Sequence, residues 1–66
     1  MAQEEERWRI AFDVHDGVAQ LLVSARQHVD TAHDFVDRDA RRAEQELAQA
    51  AARLEGAAVE TRRVPP

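Results

Sequence analysis

Cysteine is missing from this 66-residue chain, which removes disulfides and thiolate metal sites from the means of holding it folded. The same lack fits a cytosolic setting. Lysine is missing too: nine Arg stand against thirteen Asp and Glu, for a formal charge of −4. The first 36 residues carry three Arg and seven acids, and the remaining thirty carry six of each. No basic patch forms, and an acidic surface repels nucleic acid, so DNA and RNA are not expected partners. No apolar run approaches the roughly 20 residues that cross a bilayer. A signal peptide would open on basic residues, whereas Glu4, Glu5 and Glu6 open this chain. The expectation is a cytoplasmic segment without direct membrane contact, whose parent protein can be anchored through other segments.

Proline and glycine are scarce. Pro occurs only at Pro65 and Pro66, and Gly only at Gly17 and Gly56. Between them lie mostly Ala, Glu, Gln, Arg and Leu, which lose least on becoming helical. Val is scattered and never alternates with polar residues, so no sheet is expected. In the first half, Ile10, Val14, Val18, Leu21, Ala25, Val29, Ala32 and Val36 recur at spacings of three and four. At about 100° per residue they form one stripe on a helix. In the second half, Ala40, Ala43, Leu47, Ala50, Leu54 and Ala57 alternate strictly by three and four, as in helices packed at a shallow angle.

These patterns predict a single all-α domain over residues 1–66, with helix 1 at about 4–35, a turn at about 36–39 and helix 2 at about 40–63. Asp37 or Asp39 can cap the second helix, and Pro65-Pro66 would stop it. A short turn makes the helices antiparallel. A monomer this small buries only about 60% of its unfolded surface and needs a further source of stability. With disulfides excluded, pairing two hairpins into a homodimeric four-helix bundle supplies it.

Residues Glu6 to Gln20 hold the chemistry. His15 lies about 70° from the centre of the apolar stripe, at its edge. Its neighbours one turn away are Ala11 and Ala19, which leave an imidazole standing clear of its helix. Asp16 and Gln20, one turn apart, share the polar face with Asp13 and Arg9. A histidine nucleophile must present an unprotonated ring nitrogen, and a nearby carboxylate can take the proton from the other nitrogen or hold the tautomer.

Glu6, Arg7, Arg9, Ile10, Ala11, His15, Asp16 and Gln20 match in order and spacing a pattern reading roughly Glu-Arg-x-Arg-Ile-Ala-x-Glu-Leu-His-Asp-x-x-x-Gln. The stretch resembles the H-box of bacterial two-component sensor histidine kinases, in the HisKA_3 subfamily best known for nitrate/nitrite and lipid-fluidity sensors. Asp13 and Val14 are mild replacements for Glu and Leu, while Phe12 stands where a basic residue is common. Beyond Gln20 the likeness is loose, although Arg62-Arg63-Val64-Pro65 looks like a shortened form of the family's Arg-rich helix end.

The resemblance implies a dimerisation and phosphoacceptor domain. His15 would take the γ-phosphoryl of ATP and pass it to an aspartate on a response regulator. Asp16 would be the base for that step, and Gln20 would complete with Asp16 a motif that orients water against the regulator's phosphoaspartate. The ATP-binding domain, with its Asn-rich and Gly-rich boxes and Mg²⁺ site, does not occur in these residues. The fragment is therefore expected to bind no cofactor itself and to act as substrate and scaffold for a separate kinase domain.

The other candidates read as structural. Trp8 and Phe12, one turn apart, are expected to pack. Gly17 is either a tolerated imperfection or a point of bend or close approach beside His15. His28 and His33, five apart, face different directions and make a poor metal pair, so both are expected at the surface and no metal site is expected. His-Asp occurs at His15-Asp16 and His33-Asp34, but metal phosphohydrolases carrying that dipeptide need a far larger helical domain. The competing function is a helical-hairpin homodimer that serves only as an interaction module.

Overall fold

The computed structural model describes the backbone of residues 2–63 and the side chains of residues 15–63. Two helices account for it: α1, Ala2–Phe35, and α2, Ala40–Arg62. They form an antiparallel hairpin, since His28 meets Glu46 while the earlier Leu21 meets the later Gly56. The rod measures 57 × 15 × 11 Å. No described residue is in a strand.

The turn needs no glycine. No described residue has positive φ. Instead the Phe35 carbonyl accepts from the amides of Arg38, at 2.9 Å, and Asp39, at 2.8 Å. Arg38 also donates through Nε to the Asp34 carbonyl at 3.2 Å, satisfying another acceptor left free at the helix end. Of the two candidate caps, Asp39 is the one used: its side chain accepts from the Arg42 amide at 3.1 Å. The guanidiniums of Arg38 and Arg42 stand 4.9 and 5.2 Å from the Phe35 ring centre, closing that end of the hairpin with cation–π contacts. Arg62 closes α2 and Arg63 caps it; the two prolines expected to stop it lie outside the described residues.

Packing divides what the sequence presents as one stripe per helix. The buried residues are Ala25, Ala32, Ala43, Ala50 and Ala57, at 3–5% exposure. Methyl groups this small let the two helices approach closely. Leu22, Val29, Val36, Leu47 and Leu54, by contrast, are left 44–55% exposed. On α1, Leu22, Val29 and Val36 are spaced by seven, as are Leu47 and Leu54 on α2, so each set forms a row beside its alanine row. The hairpin thus buries alanines most deeply, keeps Leu21 and Phe35 half-buried, and leaves the Leu–Val rows outside.

One expectation fails here. His28 is not a free surface residue but half-buried at the seam: its Nδ1 lies 2.6 Å from Glu46 Oε2, and the two side chains are 27% and 14% exposed. Three residues after Ala25 and four before Ala32, it falls in the alanine row that faces α2. His33, in contrast, is exposed.

Candidate functional site

The two helices differ in length, 34 residues against 23, and they start level at the turn. The excess of α1 therefore projects beyond the end of α2. The contact of Leu21 with Gly56, followed back along the antiparallel pair, brings His15 to the level where α2 ends near Arg62. His15 sits on continuous helix there. Its position is fixed by backbone hydrogen bonds and by the packing that begins one turn later, so the imidazole is held on a rigid support.

The ring itself is open. His15 and Asp16 side chains are 80% and 75% exposed, and Ala19 and Gln20 are exposed as well. His15 Nδ1 stands 4.0 Å from Asp16 Oδ1. That is within reach of a charge interaction but too long for a hydrogen bond. Adjacent residues on a helix project about 100° apart, which explains the gap. The carboxylate accordingly flanks the Nδ1 side of the ring, while the arrangement leaves Nε2 free to face a large partner. Asp16 and Gln20, four residues apart, lie along one face of α1 beside the imidazole.

Gly17 makes no close approach. A Cβ built there would meet nothing within 4 Å, and its backbone is helical without positive φ. The close approach in this chain belongs to Gly56, where a Cβ would lie 3.4 Å from Leu21 Cδ1. The remaining residues of the H-box-like stretch, Glu6, Arg7, Arg9, Ile10, Ala11, Phe12, Asp13 and Val14, together with Trp8, have side chains outside the described residues. Their backbone continues α1.

Sequence reasoning missed the His28–Glu46–Arg42 cluster, in which Arg42 Nε donates to Glu46 Oε1 at 3.0 Å. A signal was present. Ala25-His28-Ala32 and Ala43-Glu46-Ala50 both keep the three-four spacing, so His28 and Glu46 occupy matching seam positions. Glu46 is held below the usual carboxylate range by the His28 hydrogen bond first and by Arg42 second, with partial burial opposing them. A carboxylate accepts on both oxygens here, so His28 Nδ1 carries the proton in the shared bond. Among the described residues no group of three or more potential metal ligands comes together, and no helix is long and apolar enough to cross a membrane.

By fold the chain is an all-α antiparallel hairpin, with the exposed His15-Asp16 pair level with the end of its shorter helix. Residues 6–64 match the HisKA_3 family, described as histidine kinase. The chain belongs to that family, as a dimerisation and phosphoacceptor domain of two-component signalling. Membership places it, in general terms, in a homodimeric kinase and beside a kinase domain. No curated protein and no solved structure matches the chain.

Proposed function

We propose that His15 accepts the γ-phosphoryl group of ATP and hands it to an aspartate of a response regulator. The observation that supports this reading most is the 80% exposure of an imidazole on a rigid helix, with a carboxylate on its Nδ1 side. ATP and Mg²⁺ are brought by a separate kinase domain. In the reaction the Nε2 lone pair of neutral His15 attacks the γ-phosphorus, an N–P bond forms, the bond from phosphorus to the bridging oxygen breaks, and ADP leaves. Asp16 stabilises the charge that builds on the ring and takes the Nδ1 proton. Phosphoryl transfer depends mostly on position and charge, which a stiff helix supplies well. In the second step a regulator's aspartate attacks the same phosphorus and the imidazole leaves.

Gln20 serves a separate phosphatase reaction, orienting a water, together with Asp16, against the regulator's phosphoaspartate, which is released as free aspartate and inorganic phosphate. The protein works as a homodimer in which the Leu–Val rows of two hairpins cover one another. Large contiguous apolar patches on a small soluble chain mark such a contact.

Incubating the fragment with its parent's kinase domain, Mg²⁺ and labelled ATP tests the reading. Acid-labile, base-stable label is expected on the fragment, lost in His15→Gln and kept in His33→Gln. Gln20→Ala should take the label normally and slow dephosphorylation of the regulator. Label that survives His15→Gln would overturn the assignment. No label on a folded, dimeric fragment would leave only the interaction-module reading.

A further inference from the structure

The hairpin has two sets of rows that could serve as its seam. The set in use is alanine: Ala25 and Ala32 against Ala43 and Ala50, with Ala57 further along α2. The set beside it is larger: Leu22, Val29 and Val36 on α1, and Leu47 and Leu54 on α2. Val29 directly follows His28, and Leu47 directly follows Glu46. Neighbouring residues on a helix point about 100° apart. A roll of each helix by about that step would withdraw the histidine and the glutamate and bring Val29 against Leu47.

Burial of apolar area alone favours the rolled form in a single hairpin, because Val and Leu remove more surface from water than Ala does. Steric interlock is weak along the alanine rows, and the larger contacts, Leu21 at Gly56 and Phe35 under Arg38 and Arg42, lie toward the two ends of the packed region. A methyl is too short a knob to resist turning, and among the described residues no large side chain is fully buried. One directional contact does oppose the roll. The His28–Glu46 hydrogen bond, at 2.6 Å, is the only side-chain hydrogen bond between the two helices among the described residues. It lies between the four alanines, three or four residues from each. Arg42, one turn before Glu46, fixes the other carboxylate oxygen at 3.0 Å and so orients the acceptor.

We infer that the His28–Glu46 bond is a rotational lock, which keeps the alanine rows facing each other and the Leu–Val rows turned outward. Polar pairs within a seam contribute little net stability, but they can select one arrangement from several apolar alternatives. The lock is a property of the single hairpin. Only the use made of the outward rows, as the surface for a second copy, rests on the dimer reading above.

Interhelical methyl contacts measured by NMR, with isotope filtering to separate those within a chain from those between chains, test it. The parent should show contacts between Ala25 and Ala50 within a chain and none within a chain between Val29 and Leu47. In the His28→Ala/Glu46→Ala double variant, intrachain Val29–Leu47 contacts should appear. The exchanged pair, His28→Glu with Glu46→His, should return the parent pattern. An unchanged pattern in the double-alanine variant would overturn the inference. So would loss of helix in that variant, or an exchanged pair that fails to restore the pattern, since the pair would then supply stability and not orientation. A chain that remains monomeric would count against the dimer reading, while the intrachain contacts would still decide this one.

Discussion

Among the described residues two histidines have a carboxylate oxygen within 4.0 Å, and their surroundings set them to different uses. His15 has Asp16 at 4.0 Å in open solvent, and its ring makes no short bond among the described residues. His28 has Glu46 at 2.6 Å within the seam, and the bond occupies the ring. Glu46 also gives a pH dependence whose sign is fixed. Its carboxyl is lowered from the ordinary value of 4.5, chiefly by His28. A group with a depressed folded value contributes stability that is complete above its unfolded value and is lost as pH falls through the folded one. The part of the thermal-midpoint difference between the parent and Glu46→Gln that comes from Glu46 ionisation should therefore be complete above the ordinary carboxyl value of 4.5 and be lost as pH falls below it. Thermal melts followed by circular dichroism across that range check it; a difference that grows on acidification would contradict the assignment.

At the scale of the elements, the helices were legible and their division of labour was not. Scarce Pro and Gly, abundant Ala, Glu, Gln and Arg, and three-four spacing lead directly to two helices and a short turn, as found. The spacing could not separate Ala25 and Ala32 from Val29 and Val36, which lie close together around the axis and merge into one stripe, and Leu22 fell outside that stripe. Choosing between Ala25 and Val29 as the inward residue requires knowing how near the helices come, and that is decided by the alanine pairs and the His28–Glu46 bond acting together. The misreading of His28 has the same origin: its seam position was visible, its partner eighteen residues away was not. His15 was legible because its local pattern, with Ala19 one turn on, needs no tertiary knowledge to predict an open ring. The turn was legible only to the extent of naming Asp37 and Asp39. Since Asp39 makes the bond, Asp39→Ala should lower stability by about 1 kcal/mol, with Asp37→Ala near neutral. Urea titration of both variants distinguishes the two; equal losses would contradict the capping role.

For the whole molecule, the exposed Leu–Val rows are the feature that the single chain leaves uncovered. Their size is out of keeping with a hairpin this thin, and a second copy covers them in the proposed assembly. Leu47→Glu places a charge on that face, where desolvation without a partner is costly. The variant should lose the dimer in sedimentation equilibrium at concentrations where the parent is fully paired. A dimer that persists with full helicity would contradict this packing. The family match spans residues 6–64, so the Leu–Val rows, the His28–Glu46 pair and the open histidine all fall within the matched residues.

Of the three imidazoles in the chain, one carries the proposed chemistry. Selective NMR of the rings during phosphorylation by the parent's kinase domain observes each separately, and phosphorus coupling marks the nitrogen that gains the group. His15 alone should acquire that coupling, at Nε2, with His28 and His33 undisturbed. Coupling at His28 or His33, with His15 unchanged, would contradict the assignment of His15 as phosphoacceptor.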